Sequence, residues 1–171
     1  MLDVSLDADP DWDSSNWAEL ARRAAKSAIA ESAVPQLGDG PRFVELGVRL
    51  TSDEQVRVLN ARWRGKDSAT NVLSFPLADP ADLEDGASDG PELMLGDIVL
   101  ARGVCAAEAE GKAVSIEHHA SHLMVHGTLH LLGYDHHDDD AAADMEAREV
   151  RALARLGIAD PYGQSSGEDA H

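Results

Sequence analysis

Histidines recur between residues 118 and 136 at spacings that predict one face of a helix, and they limit which of them can share a metal ion. His119, His122, His126 and His130 lie on one face of a helix with 3.6 residues per turn. His122 and His130 are about 12 Å apart along the axis, too far for one ion whose bonds to nitrogen are about 2.0–2.1 Å. Only a pair four residues apart can meet, either His122 with His126 or His126 with His130.

The residues after this helix favour the second pair. Gly133 can end the helix and turn the chain back, which brings the following histidines within reach. His126, His130, Gly133 and His136 stand at the offsets of the metzincin motif H-E-x-x-H-x-x-G-x-x-H. We therefore predict a site for one zinc ion on His126, His130 and His136, with His137 as a bystander. Three histidines and an open fourth position are typical of a catalytic zinc ion.

Gly127 departs from the metzincin motif, because it occupies the position of the glutamate that serves as general base. A zinc-dependent peptidase therefore stays an alternative that is supported by spacing alone. Asp135 fits two roles: it could accept a hydrogen bond from a ligand imidazole, or it could cap the helix that follows.

The rest of the chain predicts an α+β fold, in which a small mixed sheet of about four strands packs with about five helices. In this arrangement the metal site lies on a central helix and the turn after it. The domain prediction is a single catalytic domain over 1–158 and a disordered tail over 159–171. The acidic segment 78–92 is expected to be a loop. Strands are predicted near 1–6, 42–50, 70–77 and 95–101, and helices near 16–33, 52–63, 101–111, 115–132 and 138–156.

The net charge of −18 argues against a broad, non-specific grip on nucleic acid, which needs Lys and Arg. The charge is uneven, however, and the stretch 57–66 is locally basic with Arg57, Arg62, Arg64 and Lys66. A solvated helix end and a local phosphate contact both fit this stretch. Neither a signal peptide nor an apolar run of about 20 residues is present, so we expect a cytoplasmic protein with no membrane contact.

The segment HGTLHLLGYDH (126–136) resembles the metal motif of the YbeY-type endoribonucleases, which are rRNA maturation factors. Three further segments support the resemblance: LNARWRGKDSATNVLSFPL (59–77), LGDIVLA (95–101) and MEAREVRALARLGI (145–158). All occur in the family's order and cover most of 42–158.

This resemblance implies zinc ligands at His126, His130 and His136 and an essential arginine at Arg64, on a mixed sheet with surrounding helices. It also implies metal-dependent cleavage of single-stranded RNA. The implied role is maturation of ribosomal RNA, notably at the 3′ end of the small-subunit RNA, together with ribosome quality control. The implied partners are the ribosome or its small subunit and assembly factors.

Two features depart from the family's pattern. The family often reads D-K-P-T-D before VLSFP, whereas this chain has Asp67-Ser-Ala-Thr-Asn71. The strong negative charge suggests a narrow basic cleft or docking assisted by a protein. For phosphodiester hydrolysis, a metal-activated water and the RNA 2′-hydroxyl both remain candidate nucleophiles. A non-catalytic ribosome-assembly factor with a structural metal is the other alternative.

Overall fold

The computed structural model describes residues 1–12, 15–84 and 92–162. The four strands are β1 (Leu2–Ala8), β2 (Val44–Thr51), β3 (Val72–Pro76) and β4 (Leu93–Ala101). The five longer helices are α1 (Trp17–Ala30), α3 (Asp53–Arg64), α5 (Arg102–Lys112), α6 (Ile116–Leu131) and α7 (Asp139–Arg155). Two short helices, α2 (Gln36–Asp39) and α4 (Pro80–Glu84), complete the described part. The predicted α+β class is confirmed.

The strands form one mixed sheet in the order β1-β2-β4-β3. The β1, β2 and β4 strands run parallel, and β3 pairs antiparallel with β4 at the edge. Alternation along the strands explains the two faces, because successive side chains of a strand point to opposite sides. The α3 helix ends against β3, because its last residue, Arg64, donates to the Ser74 carbonyl of this strand.

The larger core lies on the sheet face that is covered by α1 and α6. Leu46, Leu50, Ile98 and Leu100 are fully buried there, and Met124 of α6 is as well. A smaller cluster lies on the opposite face, where α3 covers part of the sheet. That cluster contains Val56, Leu73, Val99 and Ala101.

Gly127 allows the close approach of α6 to the sheet. A Cβ atom at this position would lie 2.9 Å from Cγ2 of the buried Ile98, so any side chain would force Ile98 or α6 to shift. The residue that replaces the metzincin glutamate therefore faces the packed core, and packing explains its small size.

The prediction of a loop over 78–92 was wrong in part, because Pro80–Glu84 form a helical turn. A helix of this length is too short for apolar periodicity to reveal it. Residues 85–91 of the same segment lie outside the described residues, as do residues 163–171 of the predicted tail. None of the helices within the described ranges is both long and apolar enough to cross a bilayer.

Candidate metal centre

The α6 helix begins and ends as its capping residues dictate. The Ser115 hydroxyl accepts a hydrogen bond from the His118 backbone N–H at 3.1 Å, which satisfies a free donor of the first turn. At the other end Gly133 adopts a left-handed conformation with φ of 97°. The Tyr134 N–H donates to the Leu129 carbonyl at 3.0 Å, and this bond folds the chain back over the helix end.

The turn brings His136 to His126 and His130. Ligand nitrogens of the three residues all lie within 4.8 Å of one another, and the group could hold a metal ion. The Nε2 atoms of His126 and His130 are 3.0 Å apart, a separation that one ion could bridge. The arrangement is the one predicted from the spacing, with His136 as the third member.

One side-chain acceptor and one backbone acceptor orient the imidazoles of His126 and His130. Nδ1 of His126 lies 2.7 Å from Oε2 of Glu149, and Nδ1 of His130 lies 2.9 Å from the Tyr134 carbonyl. A carbonyl or carboxylate oxygen can only accept, so each Nδ1 carries the proton and each Nε2 keeps its lone pair. Both helical histidines therefore present the same nitrogen to a metal.

Burial keeps His130 neutral. Desolvation is the main cause that lowers its pKa to about 4, and the neighbouring His126 and His136 lower it further. A metal ligand must be the neutral imidazole, so this electrostatic setting suits metal binding at neutral pH. The three nitrogen donors also match the preference of zinc for imidazole ligands.

Glu149 of α7 is the central acceptor behind the site, and its side chain is only 1% exposed. Its Oε1 atom lies 3.0 Å from Nε2 of His122, and the Tyr162 hydroxyl donates to the same oxygen. Burial raises the pKa of Glu149, but hydrogen bonds from His122, His126 and Tyr162 outweigh burial and hold it at about 2. The carboxylate is thus charged wherever the protein is folded near neutral pH.

Sequence reasoning missed Glu149 and Tyr162. Glu149 belongs to the segment 145–158 that carries the family resemblance, but neither spacing nor resemblance points to a role for it. It shares a helix face with the buried Met145, Ala152 and Leu153. A lone acid on an apolar helix face is the signal that could have revealed a buried partner for a histidine. Tyr162 lies in the predicted tail, and no local pattern links it to α7.

Neither predicted role of Asp135 matches the structure. Asp138 caps α7 instead, because its side chain accepts from the Ala141 N–H at 2.7 Å. Asp135 accepts the backbone N–H of His136 at 2.6 Å and so supports the turn that carries this histidine. His137 is 66% exposed and lies 3.2 Å from a carboxylate oxygen of Asp138.

Arg64 is the last residue of α3. Its guanidinium donates to the Ser74 carbonyl of β3 and lies 5.6 Å from the ring centroid of Phe75. Within the described residues no hydrogen bond joins Arg64 to the three histidines. Its other donors are open to a ligand, because the side chain is exposed.

Comparisons with a family model and with known proteins point to the same family. The model of the family described as Endoribonuclease YbeY matches residues 6–157. A protein of Sphingopyxis alaskensis named Endoribonuclease YbeY is 53% identical over 164 residues, which cover 95% of this chain and 98% of that relative. One of the same name from Rhizorhabdus wittichii is 50% identical, with 95% and 97% covered. The fold is also similar to a solution structure from Thermotoga maritima, with a TM-score of 0.54, 20% identity and coverage of 99% and 100%.

Proposed function

The chain belongs to the YbeY endoribonuclease family, and from this premise we propose that it is a metal-dependent endoribonuclease that cleaves single-stranded RNA. The convergence of His126, His130 and His136 is the observation that carries the proposal. In the same proposal one zinc ion binds these residues, and Arg64 binds a phosphate of the substrate. The cellular role is maturation of ribosomal RNA in the cytoplasm, at the 3′ end of the small-subunit RNA, and ribosome quality control.

A zinc ion at this position would supply a Lewis acid for a phosphoryl oxygen and increase the acidity of a bound water molecule. The side chains around it have separate tasks. Glu149 keeps the proton of His126 on Nδ1, and the Tyr134 carbonyl does the same for His130. Each ring is thereby held in one tautomer and one orientation before substrate arrives.

Arg64 contributes a positive charge for the phosphate of the substrate. A guanidinium presents a planar fork of donors that matches a phosphate and the charge that develops on it during hydrolysis. The hydrogen bond to Ser74 and the contact with Phe75 hold the fork at the edge of the sheet. Because β3 also packs against α6, the same edge joins Arg64 to the helix of the metal centre.

The test is cleavage of a labelled single-stranded RNA by metal-stripped protein and by the same protein after zinc is restored. We expect cleavage only in the zinc-restored protein, a loss greater than about 100-fold in His130→Ala, and a similar loss in Arg64→Ala. His137→Ala is the matched control, since it removes an exposed histidine next to the site and should cleave as the wild type does.

Equal cleavage by every variant would mean a contaminating nuclease and would overturn the proposal. Zinc binding without any RNA cleavage would instead support a non-catalytic assembly factor with a structural metal. A peptide substrate belongs in the same series, because zinc-dependent peptide hydrolysis that is lost in His126→Ala would support the peptidase alternative.

A further inference from the structure

The sheet face opposite α6 contains an open groove with a volume of about 710 Å³. We call it the sheet groove and define it by Gly47, Arg49, Asp97, Phe75, Leu59 and Trp63. Strand pairing places Ser5, Gly47, Asp97 and Phe75 in one row across all four strands, and this row forms the floor. The volume falls in the range of clefts that bind small ligands.

Gly47 lies in the middle of this floor and has no side chain that would fill the groove. A Cβ atom at position 47 would lie 2.5 Å from Oδ1 of Asp97, so a side chain there would displace the acid. Flat aromatic groups can therefore approach the sheet between the rim formed by α3 and the β1 strand.

Two aromatic rings that line the groove each have the guanidinium of an α3 arginine beside them. Trp63 is 62% exposed, and the guanidinium of Arg62 lies 5.2 Å from its ring centroid. Phe75 on the floor has the Arg64 guanidinium 5.6 Å from its centroid. Rings and guanidinium planes that are open to solvent on a sheet are the surfaces on which unpaired RNA bases stack.

The charges of this rim point to an anionic strand. Arg57, near the start of the same helix, forms ion pairs with Glu54 and Asp67. Arg62 and Arg64, by contrast, form no ion pair with any residue in the described ranges. Their charges are therefore not neutralised by a neighbouring carboxylate, although carboxylates outnumber basic residues in this chain of net charge −18.

The floor has a net negative charge, because two carboxylates line it beside one arginine. Asp7 and Asp97 line it, so a phosphate would be repelled there, whereas the amino groups of bases could donate to these carboxylates. Arg49 also lines the floor, and its buried Nε atom has no hydrogen-bond partner among the described residues. This arrangement favours phosphates along the rim and bases directed toward the floor.

We propose that the sheet groove binds unpaired bases of the RNA substrate, with Trp63 as the stacking platform and Arg62 and Arg64 on the phosphates. The proposal rests on the proposed function, because it gives that RNA a path beyond the scissile bond. An RNA chain that leaves the groove past Arg64 would cross β3, which is an edge strand of the sheet. The α6 helix packs on the other side of β3.

Binding of a labelled 12-nucleotide single-stranded RNA to the metal-stripped full chain tests the groove without cleavage. Trp63→Ala should weaken binding about 5- to 150-fold, the range expected from loss of one stacked base. Trp63→Phe retains a ring and should stay within about 3-fold of the wild type. Val58→Ala is the matched control, since it removes an exposed side chain of the same helix that does not line the groove.

Tryptophan fluorescence gives a second readout. Trp12 and Trp17 are 3% and 4% exposed, so quenching by bound RNA should come from Trp63 and disappear in Trp63→Phe. In zinc-loaded protein, Trp63→Ala should raise KM for long RNA and leave kcat near the wild-type value.

The outcomes separate this proposal from the proposed function. Unchanged RNA affinity and unchanged KM in Trp63→Ala would contradict only the proposal that the sheet groove binds RNA. Absent cleavage by the wild type would contradict only the proposed endoribonuclease activity. If Trp63→Ala lost binding to small ribosomal subunits but bound naked RNA normally, the occupant would be a protein and the RNA proposal would be wrong.

Discussion

The two halves of α6 present histidines on the same helix face, yet these side chains have different partners. In the N-terminal half, His119 lies 2.7 Å from a carboxylate oxygen of Glu108, and His122 lies 3.0 Å from one of Glu149. In the C-terminal half, His126 and His130 direct their Nε2 atoms toward each other. The two halves therefore differ in what Nε2 contacts: a carboxylate in the N-terminal half, and another imidazole in the C-terminal half.

Glu149 joins the two halves, because one carboxylate contacts His122 through Oε1 and His126 through Oε2. Its place between them explains why His122 is not available as the partner of His126 in a metal site. The pair His122 with His126, which helical spacing alone allows, is thereby disfavoured, and the pair His126 with His130 is left to meet His136.

The sharpest test of this difference is Glu149→Gln. The amide keeps the shape but removes the charge that holds the His126 proton on Nδ1, so zinc affinity should fall about 10- to 100-fold. Competition with a chromophoric zinc chelator measures the affinity, and circular dichroism checks the fold. Glu146→Gln on the exposed side of α7 is the matched control and should change affinity less than about twofold. Equal affinity of Glu149→Gln and wild type would contradict the assigned role of the carboxylate.

His119→Ala tests the other half of the helix. The side chain is 3% exposed, so its loss leaves a cavity and removes one of the hydrogen-bond partners of Glu108, which keeps Asn71. The free energy of unfolding should drop by about 1–2 kcal/mol, while the protein still binds one zinc ion. Urea unfolding and metal analysis of the dialysed protein measure the two quantities. Loss of zinc binding in this variant would show that the N-terminal half of α6 also contributes to the metal site.

The pH dependence of the metal-free protein probes the C-terminal half directly. Burial holds the pKa of His130 at about 4 in the folded state, against 6.5 for the free side chain. Between these values the unfolded chain binds a proton that the folded chain rejects, so stability rises with pH from about 4 to 6.5. The contribution should be about 1–2 kcal/mol after allowance for solvent screening.

Urea unfolding at several pH values measures this dependence, and His130→Gln should flatten it. The pKa of Glu149 acts at lower pH, since its contribution is present above 4.5 and is lost as pH falls toward about 2. A His130→Gln profile that matched the wild type between about pH 4 and 6.5 would contradict burial of His130 as the cause.

The smallest expected effect belongs to His137, which is adjacent in sequence to a member of the site. His137→Ala should leave zinc affinity within about twofold and stability within about 0.5 kcal/mol, because the side chain is exposed and its ion-pair partners are surface carboxylates. His136→Ala, in the same measurements, should lose most of the zinc affinity. Loss of zinc affinity in His137→Ala but not in His136→Ala would mean that the turn presents His137 to the metal.

Local chemistry made much of the fold and site predictable. The 3.6-residue period placed His126 and His130 together, and the turn at Gly133 accounts for His136. Alternation predicted the strand near 42–50 and a short apolar run predicted the one near 70–77, while capping signals indicated the helices near 52–63 and 115–132; all four strands and the five longer helices lie within a few residues of the predicted ends. The α4 turn was missed, because five residues are too few for a period to show.

The sequence by itself thus determined the candidate ligands, the turn that presents them and the α+β class, because these depend on neighbours within a few residues. Only the tertiary structure decided that Glu149 of another helix supports His126, that Gly127 faces Ile98, and that Arg64 of α3 contacts the edge strand β3 beside an open groove. The physical reason is that such contacts join residues far apart in the chain. Periodicity defines which face of a helix is buried, but packing alone defines what that face meets.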